Sequence, residues 1–383
     1  MRRSILLLTI LVGMSVSISA VAQDAVASPT EEFMRATVLR ILEEKKGEAF
    51  GFDRTSQQVI LRITSGKERG RELPITNGIL GDRDDMRLVE GETVILRRME
   101  YEGEEKYLIT EKYRLPSLLW LGVFFLVLTF LLGGITGIRS IVGLAVSILI
   151  LSLYVVPTIA SGSNPLIVSL VGSFSIACTS LYLAHGCNRR TSVALFSTLI
   201  TLSIAVVLSV IFVHVSKLFG MGSEESMYLQ SGLTAGVNLR GLLLGGMIIG
   251  CLGVLDDITT AQTAAVDEIR KANPNLTSKQ LLQSGLSVGR EHIASLINTL
   301  ALAYAGASLP LLLLFQTNET FPLWVTLNSE FLAEEIVRTL VGSTTLLLAV
   351  PISTWCAARF LSNDGRPSIG GHCHGHSHHI RVS

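Results

Sequence analysis

Hydrophobic and polar positions divide the chain into two parts with different periods. Between residues 37 and 110, short segments alternate or run in β-branched residues, which is the pattern of strands. These segments are 37–41, 58–63, 93–97 and 106–110. Glycine-containing turn sequences separate them. The pattern predicts four to six strands in a small all-β domain, an OB-like module or another small barrel.

After Pro116 the apolar segments are about twenty residues long, the length that crosses the hydrocarbon core of a bilayer. They lie at 117–136, 140–160, 165–185, 192–214, 238–255, 292–315 and 335–358. This pattern predicts an all-α membrane domain with about seven transmembrane helices over residues 117–361.

The segment between the fifth and sixth spans, residues 256–291, is predicted to be a helical hairpin. Asn273 and Pro274 interrupt the helical pattern, and the sequence from Thr277 to Gln280 is typical of a capped helix start. Two helices joined by a kink beside two spans indicate either a coupling element or a plain solvated hairpin.

Composition and charge agree with this division. The 383 residues are 49% hydrophobic and only 16% charged, and the mean hydropathy is +0.50. Residues 24–116 nevertheless hold 16 of the 31 Lys and Arg and 19 of the 31 Asp and Glu. A polar domain, residues 23–116, is therefore joined to an integral membrane domain.

Residues 1–22 have the features of a secretory signal peptide, with Arg2 and Arg3 before a short apolar run and an Ala20-Val21-Ala22 site. The β-domain is therefore expected outside the cell membrane. None of the five cysteines lies in it, so we expect it to fold without disulfides.

The charges of the membrane domain predict the same orientation. With the N-terminal domain outside, ten of the 13 Lys and Arg after Pro116 fall on the cytoplasmic side, together with the hairpin and the C-terminal tail 362–383. An excess of Lys and Arg in cytoplasmic loops is the positive-inside rule. Few aromatic residues and mixed charges in the β-domain argue against nucleic acid as a partner, and the lipid bilayer is the expected one.

Polar residues cluster where the fifth span ends and the sixth begins. Asp256 and Asp257 end the former, and Arg290 precedes a stripe about 120° wide on the latter. The stripe consists of Glu291, His292, Ser295, Asn298 and Thr299. Such a stripe against lipid would leave hydrogen-bonding groups unsatisfied. We therefore expect it to face the helix bundle, opposite the Asp pair, with Arg290 as their partner.

Transport, metal-dependent catalysis and a structural role are the alternatives for this cluster. Carboxylates beside a histidine can relay protons or hold a cation in a transporter. A catalytic metal site is disfavoured, because the Arg290–Ala294 segment lacks the H-E-x-x-H pattern and Asp256 and Asp257 lack further acids. A structural role would make Arg290 and the Asp pair a helix-end salt bridge, with Asn298 joining helices. No catalytic residue is assigned, and the chain is not expected to be an enzyme.

Five glycines follow one another through the fifth span: Gly241, Gly245, Gly246, Gly250 and Gly253. They form two small-x-x-x-small pairs, which let helix backbones approach closely. The sharper alternative is a helix made thin enough to slide or to line a path.

The C-terminal tail is rich in histidine. His372, Cys373, His374, His376, His378 and His379 are competent ligands for zinc, nickel or copper. They indicate either a metal-buffering tail or an incidental polar end. No other cofactor is expected.

Four segments of the membrane domain together resemble the YibE/F family of bacterial membrane proteins: 253–259, 289–293, 298–300 and 303–310. The resemblance implies a multi-pass protein of the bacterial cytoplasmic (inner) membrane with an extracytoplasmic N-terminal domain. It implies no particular substrate. The family's entry motif is expected to favour Gly-Arg-Asp-His, and Glu291 replaces that acid here.

The sequence thus predicts a YibE/F-like transporter or permease with an ion or proton site near spans five and six. In this hypothesis Asp256 and Asp257 hold the ion, His292 tunes protonation and Arg290 is the counter-charge, while Asn298 and Thr299 line the path. The alternative is a non-enzymatic scaffold whose exported domain docks a partner, and a lipid-active membrane enzyme is a distant third. A second copy of the chain and a paralogous membrane protein are the candidate protein partners.

Overall fold

The computed structural model describes residues 32–49, 52–80, 87–101, 104–231, 236–310, 313 and 322–361. The proposed signal peptide and the histidine-rich tail lie outside these residues and stay predictions. The chain divides into two compact units, Met1–Phe124 and Phe125–Ser383.

The N-terminal unit contains one antiparallel sheet of five strands in the order β3-β2-β1-β4-β5, curled into a half-barrel. Its strands are β1 (Glu32–Ala49), β2 (Phe52–Ile63), β3 (Glu72–Leu80), β4 (Thr93–Tyr101) and β5 (Glu104–Lys112). The four strand segments predicted from the sequence lie in β1, β2, β4 and β5 and are confirmed. β3 has the weakest alternation, since Pro74 and Gly78 interrupt it.

Alternate residues of three neighbouring strands build the core of this sheet. Buried pairs spaced two apart occur in β1, β2 and β4: Ala36 and Val38, Val59 and Leu61, Val94 and Leu96. Successive side chains of a strand point to opposite faces. One face of the sheet is therefore apolar and covers the core of this unit.

A polar network centred on Tyr107 of β5 ties that strand to the β2–β3 turn. The Tyr107 hydroxyl donates to Glu68 at 2.9 Å and accepts from Arg71 at 3.1 Å. Burial, and then hydrogen bonds to Glu68 and Glu105, raise the pKa of Tyr107 to about 12. Burial also acts to raise the pKa of Glu68, but the hydrogen bonds from Tyr107 and Arg71 outweigh it and lower that pKa.

The remaining described chain is helical. Its helices are α1 (Leu115–Ile150), α2 (Val156–Ala160), α3 (Pro165–His185), α4 (Arg189–Val215), α5 (Glu224–Ser231), α6 (Leu239–Ala272), α7 (Ser278–Ala307), α8 (Leu323–Leu327) and α9 (Glu330–Leu361). A π-helical turn at Leu151–Val155 joins α1 to α2.

Among the described residues, five helical segments are long and apolar enough to cross a membrane: Leu115–Ala160, α3, α4, α6 and α9. The third, fourth, fifth and seventh predicted spans correspond to α3, α4, α6 and α9. The first two predicted spans lie within one helical segment of 46 residues, Leu115–Ala160, whose backbone is non-helical at a kink at Gly134. The sixth predicted span begins in α7 and continues into residues outside the described chain, so a total of seven stays a prediction.

The helix start predicted at Thr277 is confirmed by its capping hydrogen bonds. Thr277 accepts a hydrogen bond from the Gln280 backbone at 3.4 Å, and the Gln280 side chain accepts one from the Thr277 backbone at 3.0 Å. This reciprocal pair is a capping box, which satisfies two otherwise unpaired amides of the first turn. α7 then runs as one helix from the hairpin through Ala307.

α6 lies at the centre of the helical unit. Its buried residues Ile248, Leu252 and Leu255 share one core with residues of α3, α4 and α9. Polar groups on α6 can therefore meet several helices at once, and this central helix carries the candidate site.

Candidate functional site

The carboxylate of Asp256 lies between α6 and α3. Ser180 of α3 donates a hydrogen bond from its hydroxyl to Asp256 Oδ2 at 3.0 Å. Asp256 Oδ1 is buried and has no hydrogen-bond partner among the described residues. One oxygen of this carboxylate is therefore stabilised, whereas the other is buried without a hydrogen-bond partner among the described residues.

A pair of threonines joins α6 to α4 one turn further along. The hydroxyl oxygens of Thr259 and Thr198 lie 2.6 Å apart, and both residues are fully buried. Each hydroxyl also lies within hydrogen-bond distance of a backbone carbonyl of its own helix, Leu255 and Ala194 respectively, so one hydroxyl donates to the other across the contact while its partner donates to its own helix. Such hydrogen bonds hold helices together where lipid provides no partner.

Gln262 joins three helices. Its side-chain amide donates to the Gly285 carbonyl of α7 at 2.7 Å and to the Thr354 hydroxyl of α9 at 2.8 Å. Gly285 allows this close approach, because a Cβ there would meet methyl groups of Thr354 and Val266 at 2.7 and 2.8 Å. The amide fixes where α7 leaves the hairpin.

Asp257 points to a different surface from Asp256. It is exposed and lines a cleft of about 260 Å³, here called the Asp257 cleft. The other lining residues are His185, Arg190, Thr191, Ala194, Thr260, Ala261 and Ala264. They come from the end of α3, the start of α4 and the outer face of α6, so this carboxylate faces α3 and α4 and not α7.

The predicted orientation of the α7 stripe is wrong. Arg290, Glu291, His292, Ser295, Asn298 and Thr299 are all exposed. In the described part of the chain no ion pair links Arg290 to Asp256 or Asp257. The packing of Gly285 and Gly289 against α6 and α9 accounts for the exposure of Arg290, Glu291, Ser295 and Asn298, which lie away from the glycine face. These glycines direct one face of α7 inward, and residues such as Glu291 and Ser295, more than 90° further round the helix, then lie outside.

The five glycines of α6 divide into two groups. Gly241 and Gly245 are buried against Pro165 and Ser169 of α3, so the packing role predicted for this pair is confirmed. Gly246, Gly250 and Gly253 are exposed, and a Cβ on any of them would meet no described atom within 4 Å. The prediction that they pack a neighbouring helix is wrong within this chain, because they lie on the outer face of α6.

Sequence reasoning missed Ser180, Thr198 and Gln262 as partners in the site. Serine and threonine occur throughout these spans, and most of their hydroxyls bond within their own helix, so nothing in the sequence distinguishes Ser180. The pairing of Gly285 with Gly289, four residues apart, was a usable signal. It is the same small-x-x-x-small pattern recognised in α6.

These helices define a multi-span α-helical membrane protein with a carboxylate enclosed between two of its spans. The chain belongs to the YibE/F-like protein family, whose model matches residues 121–363. The match runs from within α1 to just past α9 and leaves out the half-barrel. It confirms the resemblance seen in the motifs around Asp256 and Arg290. No curated protein and no solved structure matches the chain.

Proposed function

We propose that this chain is a transporter or permease in which Asp256 binds a proton or a cation during the transport cycle. The observation that carries the proposal is the setting of its carboxylate. Ser180 satisfies one oxygen, while the other is buried without a partner in the described chain. An unpaired ionised carboxylate is costly in apolar surroundings. A proton or cation on the free oxygen would remove that cost, and ionisable groups inside membranes typically serve such transport steps.

The Asp257 cleft supports an approach to this site. It has a volume of about 260 Å³, room for several water molecules at about 30 Å³ each. Asp257 adjoins Asp256 in sequence and would attract a cation into the cleft. In this proposal the ion passes from Asp257 to Asp256, and Ser180 takes the place that the sequence suggested for His292.

The outward-facing stripe on α7 supports a further membrane subunit. Glu291, Ser295 and Asn298 continue the helix toward the predicted sixth span while being exposed. Polar side chains at membrane depth need protein or water as partners. A second copy of the chain or a paralogous membrane protein would cover them, so the stripe has an interface role in this proposal and no direct role in ion binding.

The scaffold hypothesis is the second candidate, and the half-barrel favours it because it is a compact unit with its own core. The two functions differ in what they require. Deleting residues 32–112 would abolish a docking function, whereas Asp256→Asn would leave it intact. An ion-coupled transporter responds to Asp256→Asn whether or not the half-barrel docks a partner.

Charge movement in proteoliposomes tests the transport function. Full-length protein would be reconstituted and exposed to concentration jumps of protons, sodium or potassium on a solid-supported membrane. We expect a current with at least one of these ions, and we expect Asp256→Asn to abolish it, because the amide cannot exchange a proton or neutralise a cation.

Glu268→Gln is the matched control. Glu268 is an exposed acid on α6 that pairs with Lys271 at 2.6 Å, and its replacement removes one negative charge from the same helix. This variant should keep the wild-type current. Equal currents from wild type and Asp256→Asn, or no current with any of the three cations, would reject the proposal, provided the proteins elute identically on gel filtration.

A further inference from the structure

We infer that a second cleft, where α4 begins, is a binding site for a phosphate group at the membrane surface. Its lining residues are Asn188, Arg189, Arg190, Asp267, Arg270, Lys271 and Leu361, and it encloses about 320 Å³. We call it the arginine cleft. It does not depend on the transport role of Asp256.

The charges of the arginine cleft do not balance. Four cationic side chains surround one carboxylate, and that carboxylate is already used. Asp267 accepts from Arg270 at 2.9 Å and from Lys271 at 3.0 Å. Arg189 and Arg190 form no ion pair in the described part of the chain. Two guanidinium groups are therefore available, and their planar donors match the oxygens of a phosphate.

The backbone of α4 adds to this attraction. Asn188 caps the helix by accepting a hydrogen bond from the Thr191 amide at 2.9 Å. The amides of Arg189 and Arg190 belong to the first turn and have no partner within the helix. The N-terminus of a helix attracts anions through these amides and the helix dipole.

The arginine cleft adjoins the Asp257 cleft at Arg190. Thr191 is 2% exposed, and its Oγ1 has no hydrogen-bond partner among the described residues. It lines the Asp257 cleft together with Arg190, which also lines the arginine cleft. Arg190 is thus the residue that the two clefts share.

Helix lengths place the arginine cleft at the bilayer surface. α4 has 27 residues, which makes it about 40 Å long. This is about 10 Å more than the hydrocarbon core. α3 has 21 residues and is only just long enough to span that core. The turn between them, with Arg189 and Arg190, therefore lies at headgroup depth, where basic pockets between helices bind phosphate-bearing lipid headgroups.

Binding can be measured on the full chain purified in a non-ionic detergent. The probes are short-chain phosphatidylglycerol, short-chain phosphatidylcholine and inorganic phosphate at matched ionic strength, and the readout is the melting temperature against probe concentration. We expect phosphatidylglycerol to stabilise the wild type. For the double variant Arg189→Gln/Arg190→Gln, the same rise in melting temperature should require a probe concentration at least about tenfold higher. The reason is that each lost charge-assisted hydrogen bond costs more than a neutral one.

The control variant Arg139→Gln/Lys279→Gln removes the same charge from exposed positions outside the cleft and should bind like the wild type. Stabilisation by inorganic phosphate alone that depends on the two arginines assigns the site to free phosphate. Dependence seen only with phosphatidylglycerol assigns it to a lipid headgroup.

Equal binding by wild type and the arginine variant would overturn the inference. So would equal stabilisation by both lipids without dependence on the arginines, or no stabilisation by any probe. If the double variant does not fold, Arg190→Lys replaces it. This variant keeps the charge but loses the planar fork, and we expect binding several-fold weaker than wild type.

Discussion

The hydroxyl of Ser180 donates to the carboxylate of Asp256 across the contact between α3 and α6, at 3.0 Å. The two residues are 76 positions apart in the sequence. Their contact leaves Asp256 Oδ1 buried and without a partner among the described residues. The arrangement combines a hydrogen bond that orients the side chain with a free oxygen that can take up an ion.

This hydrogen bond predicts a measurable coupling between the two helices. In a double-mutant cycle of Ser180→Ala and Asp256→Ala, each of which removes the hydrogen bond, we expect a coupling energy of about 1 kcal/mol, within the range known for hydrogen bonds between membrane helices. The free energy of unfolding in detergent, from a denaturant titration, gives the value. Ser175→Ala is the matched control, because within the described chain the Ser175 hydroxyl donates to the Val171 carbonyl of its own helix and to no other helix. A coupling with Ser175 as large as that with Ser180 would contradict the assignment.

The glycines predict opposite outcomes for the same substitution. Gly285→Ala and Gly253→Ala should each gain about 1 kcal/mol of helix propensity. A Cβ at Gly285 meets Thr354 and Val266 at under 3 Å, whereas one at Gly253 meets no described atom within 4 Å. We expect Gly285→Ala to be less stable than Gly253→Ala by about 1 to 3 kcal/mol, the usual cost of overpacking. Thermal unfolding measured side by side decides this, and equal melting temperatures would argue against the tight contact of α7.

The raised pKa of Tyr107 predicts that the half-barrel loses stability at high pH. The pKa of Tyr107 is raised from 10.0 to about 12, so the folded state favours the neutral phenol. Its contribution is complete below about pH 10 and disappears as the pH rises through about 12. Tyr107→Phe should lower the free energy of unfolding by about 1 kcal/mol at pH 8 and should show less further loss at pH 11.

Pulse proteolysis of the N-terminal unit in urea measures both effects of Tyr107. Tyr113→Phe serves as the control, since the Tyr113 hydroxyl accepts one long hydrogen bond of 3.4 Å from Arg35. If Tyr113→Phe and Tyr107→Phe lower the free energy of unfolding equally, the hydrogen bonds around Glu68 do not stabilise β5.

Chemical labelling of Cys187 tests the predicted orientation of the helical unit. Cys187 is exposed in the turn between α3 and α4, whereas Cys251 and Cys356 are buried. With the N-terminal domain outside and two membrane crossings within Leu115–Ala160, as the sequence predicts, this turn lies in the cytoplasm. In a Cys373→Ser background, a membrane-impermeant maleimide should label Cys187 in inverted vesicles and leave intact spheroplasts unlabelled. Cys187→Ser controls for labelling elsewhere, and labelling of intact spheroplasts would reverse the orientation.

Local patterns were enough to predict much of this fold. Alternation located the strands that carry Val38, Leu61 and Leu96, because a sheet with one buried face repeats every two residues. Span length located α3, α4, α6 and α9, because a bilayer has a fixed thickness. The capping box at Thr277 marked the start of α7. Each of these features depends on residues that are neighbours in the sequence.

The orientation of each helix about its own axis required the tertiary structure. Periodicity showed that Glu291, Ser295 and Asn298 share a face, but it could not show which face meets α6. Close approach at Gly285 and Gly289 decided that.

The partner of Asp256 was decided in the same way. Charge alone suggested Arg290, whereas packing placed Ser180 beside the carboxylate. The sequence by itself determined the division into two parts, the family and the residues that carry charge in the spans. Only the tertiary structure determined which of those residues meet, because contacts between distant segments depend on how whole helices pack.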